Sequence, residues 1–544
     1  MHKKILSTTL SILLATGVTV PQTALAVTYT PWWTAVEEVS EPNWLPVIPV
    51  FTAAGATMEE QTDGGLHIAF LGAEVVMTPD SDLFSINSVD ITLTHPLTVI
   101  DNQLFMSELD IMAFDQHFFA VVSRVFELTP EARDIALHDF DYLVDLVLNN
   151  SAWDSVVYAI HGISFEQHAA VHREMIERMT PVQFLVIDEL FTVAEGDDPV
   201  DLAANYLSHF LFHSFSAGLG HIGHMAPRDL GTYRFQVTAV ARGIHQADTE
   251  EEAQLIERMW APFFTPEAVH FYGEVAVDLD EEEHPMPVIA GNVTTHSLET
   301  GRVAYLHIGS FMSNPEEDDT YILPFLQQVA VDNYEHLIID IRGNMGGLVN
   351  YFNPLIASRL LAEPTVAVAA EFFSAGEQAQ YTLGLWHDAV ALAVAAGEAA
   401  VAMRIVPIEE AIEILGLTYF DPVILAHLDY AWLSQSVMEL AEDHVGFDGQ
   451  VWLLVDEMSW SASVLAAMTA METGFATVVG SNTSGILGVT HMYRALPHTG
   501  IIWRTDIGFM TDAQGRSLEV YGLTPDVLNM EGMDALETVL QLIG

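Results

Sequence analysis

From Val303 onward the chain alternates short apolar runs with helical stretches, and this alternation restricts the fold more than any other feature. Val303-Ala-Tyr-Leu-His-Ile308, Leu337-Ile-Ile-Asp-Ile341, Val451-Trp-Leu-Leu-Val455 and Thr477-Val-Val479 are short, β-branched and apolar, as buried strands are. Helical stretches lie between them, notably from Ser461 to Thr473. The expectation is an α/β core over residues 301–544, interrupted by a largely helical insertion at 389–443 that shapes a cleft or a subunit contact.

The first half is organised differently. Met1 to Ala26 has a basic start (His2, Lys3, Lys4), an apolar stretch and an Ala24-Leu-Ala26 ending, the layout of a cleavable export signal. Residues 40–117 read as a small β-rich domain, with strands at Phe70 to Thr78, Phe84 to Leu93 and Leu97 to Phe105. Residues 118–230 turn helical: Asp139-Phe-Asp-Tyr-Leu-Val-Asp-Leu-Val-Leu148 spaces its apolar side chains at helical intervals, and Val200 to Phe215 continues the pattern. A connecting region, 231–300, mixes a strand candidate at Tyr233 to Ala241 with an acidic helix from Thr249 and an acidic loop at Asp278 to Glu283.

After Lys4 the chain contains no lysine, so beyond the export signal 15 of the 17 basic residues remain, all arginine, against 75 acidic ones. That field repels nucleic acid and anionic membranes and argues against polyanionic substrates, so no nucleic-acid partner is expected. No stretch after the signal is long and apolar enough to insert in a membrane. The protein is expected to be exported, extracellular or at the cell surface. With no cysteine it has neither disulfides nor thiolate metal sites, and core burial must hold it together.

Two segments offer chemistry. His336-Leu-Ile-Ile-Asp-Ile-Arg-Gly-Asn-Met-Gly-Gly347 is an apolar strand running into a glycine turn, where backbone N–H groups face an incoming oxyanion without Cβ obstruction. Val451 to Ala467 is a strand, a serine-rich turn and a helix, which puts a serine oxygen at a helix N-terminus. The plain alternative is that Ser461 and Ser463 cap that helix. If Ser461 is a nucleophile, its proton needs an acceptor. Lysine is absent and arginine stays protonated, so histidine, a carboxylate or the N-terminal amine remains.

Four segments together resemble the S41 peptidases, the family of C-terminal processing peptidases and the tricorn core. They are Tyr305-Leu-His-Ile-Gly-Ser-Phe311, Asp340-Ile-Arg-Gly-Asn-Met-Gly-Gly347, Leu454-Val-Asp-Glu-Met-Ser-Trp-Ser-Ala-Ser463 and Gly515-Arg-Ser-Leu-Glu-Val-Tyr-Gly-Leu-Thr-Pro-Asp526. The resemblance implies a ClpP/crotonase-like α/β core, Ser461 as nucleophile, and oxyanion donors from the N–H groups of Gly346 or Gly347 and of Ala462. In the processing-peptidase branch a lysine base follows the nucleophile; Ile486 occupies its place here. The tricorn-like branch instead implies His224, in Ser216-Ala-Gly-Leu-Gly-His-Ile-Gly-His-Met225, as general base, and Glu519 as its polar partner. Gly223 replaces that branch's serine before the histidine. Residues 40–117 resemble the copper amine oxidase N-terminal type of domain, without convergent histidines for copper, and suit a structural or cell-surface contact.

The expectation is therefore a serine endopeptidase acting on polypeptides through an acyl-enzyme, with no cofactor and no metal site. The other reading is a catalytically inactive scaffold that keeps the fold to bind peptides. His224 and Glu519 each retain a structural alternative, a loop histidine and a surface carboxylate. His209, His213, His221 and His224 have metal-like spacing but no neighbouring carboxylate.

Overall fold

A computed structural model describes residues 44–48, 51, 56–61, 65–70, 73–100, 103–107, 110–111, 114, 123–185, 198–211, 215, 230–247, 249–277, 288–396, 401–486 and 488–544. Met1 to Ala26, expected to be an export signal, the loop at Asp278 to Glu283, Gly223 and His224 lie outside them.

The apolar runs after Asn292 form one six-stranded sheet. Its strands are β1 (Val293–Glu299), β2 (Val303–Ile308), β3 (His336–Asp340), β4 (Gln450–Val455), β5 (Thr477–Gly480) and β6 (Val527–Leu528), in that spatial order. β1 pairs antiparallel with β2, and every later pairing is parallel. Burial on both faces explains the unbroken apolar runs: Leu337, Ile338 and Ile339 of β3 are all fully buried. On one face lie the helices Pro315–Val331 and Ala462–Thr473. The latter turns Ala462, Ala466, Ala467 and Ala470 inward, small side chains that let a helix lie close to a sheet. Val303, Ile338 and Leu454 instead pack with Ala535 and Val539 of the last helix, Ala535–Ile543.

Adjacent parallel strands end on the same edge of a sheet. The loops after β3, β4 and β5 are therefore neighbours, and such carboxyl-end crevices are where open α/β sheets place their chemistry.

Three expectations change. The 389–443 insertion is not largely helical: Val401–Pro407 and Tyr430–Met438 are strands that join Thr365–Phe373 in a three-stranded antiparallel sheet. Alternation decides it, since Ala431 and Leu433 are buried while their neighbours Tyr430 and Ser434 face outward or are only partly covered. Tyr233 to Ala241 lies within a helix, Leu230–Gln246, because Tyr233, Val237 and Val240 recur every three to four residues on its buried side. Of the three strands expected before His117, Phe70 to Thr78 holds the single strand Ala73–Met77, while the other two are hairpins. Leu83–Ile86 and Val89–Thr92 are joined by Asn87 and Ser88, both at positive φ, the two-residue turn that matches strand twist.

The helical region has no separate core. Phe140, Trp153, Phe165, Tyr206 and Phe215 form one buried cluster with Phe372, Leu433, Trp503 and Phe509 of the C-terminal half. The Trp153 indole N–H donates to the Asp506 carbonyl at 3.2 Å, and Asn150 Oδ1 accepts from the N–H groups of Gln378 and Ala379. Among the described residues no helix is long and apolar enough to cross a membrane.

Candidate active site

The turn after β4 holds Ser461 at φ 54°, ψ −119°, a conformation that costs an L-residue on the order of 1–3 kcal/mol. Ser461 heads the helix Ala462–Thr473, yet its side chain makes no capping hydrogen bond. Ser463 does not cap either; it is fully buried and donates to Asn344 Oδ1 at 2.8 Å. The capping explanation for these two serines therefore fails. A strained, uncapped serine whose hydroxyl stands at the head of a three-turn helix is the arrangement of a nucleophile elbow.

The turn after β3 is strapped to it. Trp460 N–H donates to the Asn344 carbonyl at 3.0 Å, and Gly343 N–H to Asp456 Oδ1 at 2.9 Å. Gly346 then lies against the serine: a Cβ there would sit 2.8 Å from Ser461 Cβ, 2.8 Å from the Ala462 nitrogen and 2.6 Å from the Trp460 carbonyl oxygen, at a φ of +88°. Only glycine fits both that space and that backbone.

The candidate oxyanion donors differ among themselves. Gly346 N–H is already committed, donating to Asn344 Oδ1 at 2.9 Å. The N–H groups of Gly347 and Ala462 have no acceptor among the described residues, as the first N–H of a helix does not. They are the pair available to a substrate oxygen.

The loop after β5 closes a third side. Ser461 N–H donates to the Gly485 carbonyl at 3.1 Å. Gly485 in turn abuts Leu518 and Glu519, where an added Cβ would fall 2.1 Å from the Leu518 oxygen and 3.3 Å from Glu519 Cα. Next to it Ile486, the residue the resemblance aligns with the lysine of the processing-peptidase branch, is buried in the apolar core.

Glu519, in the short helix Leu518–Tyr521, is no surface carboxylate, being 6% exposed. Burial first, and the negative charge of Asp506 second, raise its pKa well above the ordinary carboxylate value. His224, His213 and His221 lie outside the described residues. His209 is buried and stacks on Phe126, with ring centroids 4.4 Å apart.

Asn344 was not singled out from the sequence, although it lies inside the glycine motif. It is fully buried and every polar atom is used: Oδ1 accepts from Gly346 and Ser463, Nδ2 donates to the Ile308 carbonyl, and its carbonyl accepts from Trp460. One residue, by side chain and carbonyl, thereby ties the end of β2, the glycine turn, the serine turn and the helix together.

A second buried carboxylate shares the Asp506 field. Glu371 accepts from Thr490 N–H at 3.1 Å and from Val489 N–H, and its Oε2 lies 2.5 Å from Thr490 Oγ1. Burial is the largest influence and raises its pKa, with Asp506 adding to it. A raised carboxyl pKa means the folded state loses stability as pH rises above the ordinary value of 4.5, because ionising the group in place is costly. Glu371→Gln keeps the acceptor and cannot ionise. The variant is expected to exceed the parent by roughly 1–2 kcal/mol at pH 8, a gain that vanishes toward pH 4. Urea midpoints at the two pH values measure it.

Residues 302–528, from the start of β2 to the end of β6, match the model of Peptidase family S41. The match takes in the glycine turn, Ser461 and Glu519, and leaves His224 outside. No curated protein matches the chain. Among solved structures, a candidate peptidase from Parabacteroides merdae ATCC 43184 is 19% identical, covering 47% of this chain and 65% of its own, with a TM-score of 0.29. A photosystem II D1 C-terminal processing protease is 16% identical, covering 47% and 53%, TM-score 0.28. Mature CPAF is 12% identical, covering 73% and 93%, TM-score 0.40. The chain thus spans less than two thirds of the first two, and likenesses this distant carry no argument about chemistry.

Proposed function

With residues 302–528 forming a domain of peptidase family S41, a serine-type peptidase domain, we propose that the protein is an exported serine endopeptidase that hydrolyses polypeptides through an acyl-enzyme on Ser461. The observation that carries this reading is the backbone of Ser461: a strained positive φ at a helix head, kept without a capping bond and walled by a glycine.

In the proposed reaction Ser461 Oγ attacks the scissile carbonyl as its proton passes to His224. The tetrahedral oxyanion is held by the N–H groups of Gly347 and Ala462, and the imidazolium returns the proton to the leaving amine. Water then repeats the sequence on the acyl-enzyme. Glu519 supports the imidazolium when ionised. Ile486, aligned with the lysine of the processing-peptidase branch, is apolar and buried, which suits a histidine system and no Ser-Lys dyad. The β-rich module at 40–117 is proposed to make a cell-surface contact.

Both titrations run in one direction. An ordinary histidine loses its proton at about pH 6–7, and Glu519, its pKa raised, ionises later than an exposed carboxyl. Activity rises through that range and stays high above it.

A fluorophosphonate probe tests the nucleophile. The parent is expected to take up one equivalent, and Ser461→Ala none. A folded parent that stays unlabelled between pH 6 and 9 points to the inactive peptide-binding scaffold and ends the enzyme reading.

A further inference from the structure

The helical region and the C-terminal hairpin meet at three side chains outside the candidate active site. His138 and Asp139 lie in the helix Pro130–Asn150; His498 lies in the turn between the strands His491–Ala495 and Ile502–Asp506. Each offers one donor atom, and the three atoms lie within 4.8 Å of one another. We propose that His138, Asp139 and His498 form a divalent transition-metal site, suited to Zn²⁺, that clips this helix to the hairpin turn.

The spacing fits the ion. Asp139 Oδ1 lies 3.1 Å from His498 Nδ1 and 3.6 Å from His138 Nδ1. Ligands held at about 2.0–2.1 Å in a tetrahedron stand about 3.3–3.4 Å apart, midway between those separations. Two imidazole nitrogens and one carboxylate oxygen are a borderline donor set of the kind that binds zinc, and water supplies the fourth corner.

The carboxylate is fixed in advance. Asp139 is fully buried, and its Oδ2 accepts from Thr499 N–H at 2.8 Å and Thr499 Oγ1 at 2.7 Å. Its Oδ1 also accepts from His498 N–H at 3.1 Å. Such outer bonds orient a ligand and sharpen its affinity. The imidazoles are the adjustable partners: His138 is 59% and His498 44% exposed, their rings are 4.4 Å apart, and solvent reaches both. In the metal-free protein His498 Nδ1–H donates to Asp139; on binding, that proton moves to Nε2 of the same ring and Nδ1 takes the ion. No net proton, electron or further reactant is needed.

The full-length protein, freed of metal with EDTA and titrated with ZnCl₂ by calorimetry, tests this. One tight equivalent is expected, with a rise in melting temperature. His138→Gln and His498→Gln should each weaken that equivalent at least tenfold and remove most of the rise, while melting like the parent in EDTA. Asp139 is left unchanged because it holds the 498–499 turn in the metal-free fold. A parent that binds no zinc, or a double histidine variant that binds it as tightly as the parent, overturns the assignment.

Discussion

Replacing Ser461 with alanine is expected to lower peptide hydrolysis by roughly 10⁴-fold or more, and replacing it with glycine to do the same while making the protein more stable. Loss of the attacking oxygen removes the acyl-enzyme route and leaves only what the oxyanion donors achieve with water. The stability effect comes from the backbone. At φ 54°, ψ −119° any side chain is strained, so alanine keeps the strain and glycine releases it. Release of about 1–3 kcal/mol is partly offset by the greater freedom glycine has in the unfolded chain, about 0.4–1 kcal/mol. Ser461→Gly should gain about 1 kcal/mol by urea denaturation, and Ser461→Ala should stay near the parent. A glycine variant less stable than the alanine variant would mean the turn is not strained, and that Ser461 has its conformation for packing reasons. An active alanine variant would remove Ser461 from the chemistry altogether.

That strain connects sequence to site. The segment Val455-Asp-Glu-Met-Ser-Trp-Ser-Ala-Ser463 contains no glycine in the turn, so nothing local favours a positive φ. The conformation is imposed from outside: Asn344 holds Trp460, Gly485 holds Ser461 N–H, and the alanine face of the following helix is seated on the sheet. Much of this was legible. The four apolar runs appear as β2 to β5 with ends shifted by at most one residue, because strands buried on both faces leave an unbroken apolar signature. The turns after them were legible too, since a glycine cluster and a serine cluster directly after such strands can lie only on one edge.

What escaped the sequence reading depended on contacts distant along the chain. Asn344 looked like one more polar residue in a turn, and its four attachments run to Ile308, Gly346, Trp460 and Ser463. Glu371 sits within Ala369-Ala-Glu-Phe-Phe373, an apolar run in which a single carboxylate was an available warning. Asp139 and His498 are 359 positions apart, and no local spacing could join them. The helical region begins where the period of the pattern changes, at about residue 118. Its aromatic side chains nevertheless close the same core as Trp503 and Phe509, so a change of period did not mark a boundary of packing.

The second large effect belongs to Asn344. Asn344→Ala strips three side-chain bonds at once, leaving the Gly346 N–H, the Ser463 hydroxyl and the Ile308 carbonyl without that partner in a fully buried place. Each buried polar group so stranded costs about 1–3 kcal/mol, and the three share one cavity, so a total of roughly 3–5 kcal/mol is expected by urea denaturation. The chemistry should suffer beyond the stability. Freed of Asn344, Gly346 N–H has no fixed acceptor, the glycine turn loses its register against Ser461, and Gly347 N–H no longer shares a fixed oxygen position with Ala462 N–H. Fluorophosphonate labelling at a temperature where the variant is still folded should slow at least tenfold. Ser463→Ala separates the two effects, since it deletes one partner and leaves Gly346 held: about 1–2 kcal/mol of stability should go, with labelling within a few-fold of the parent. If Asn344→Ala labelled as fast as the parent while folded, the glycine turn would be positioned by Phe311, whose N–H donates to the Gly346 carbonyl and whose carbonyl accepts from Leu348 N–H, both at 3.0 Å, and Asn344 would serve stability only.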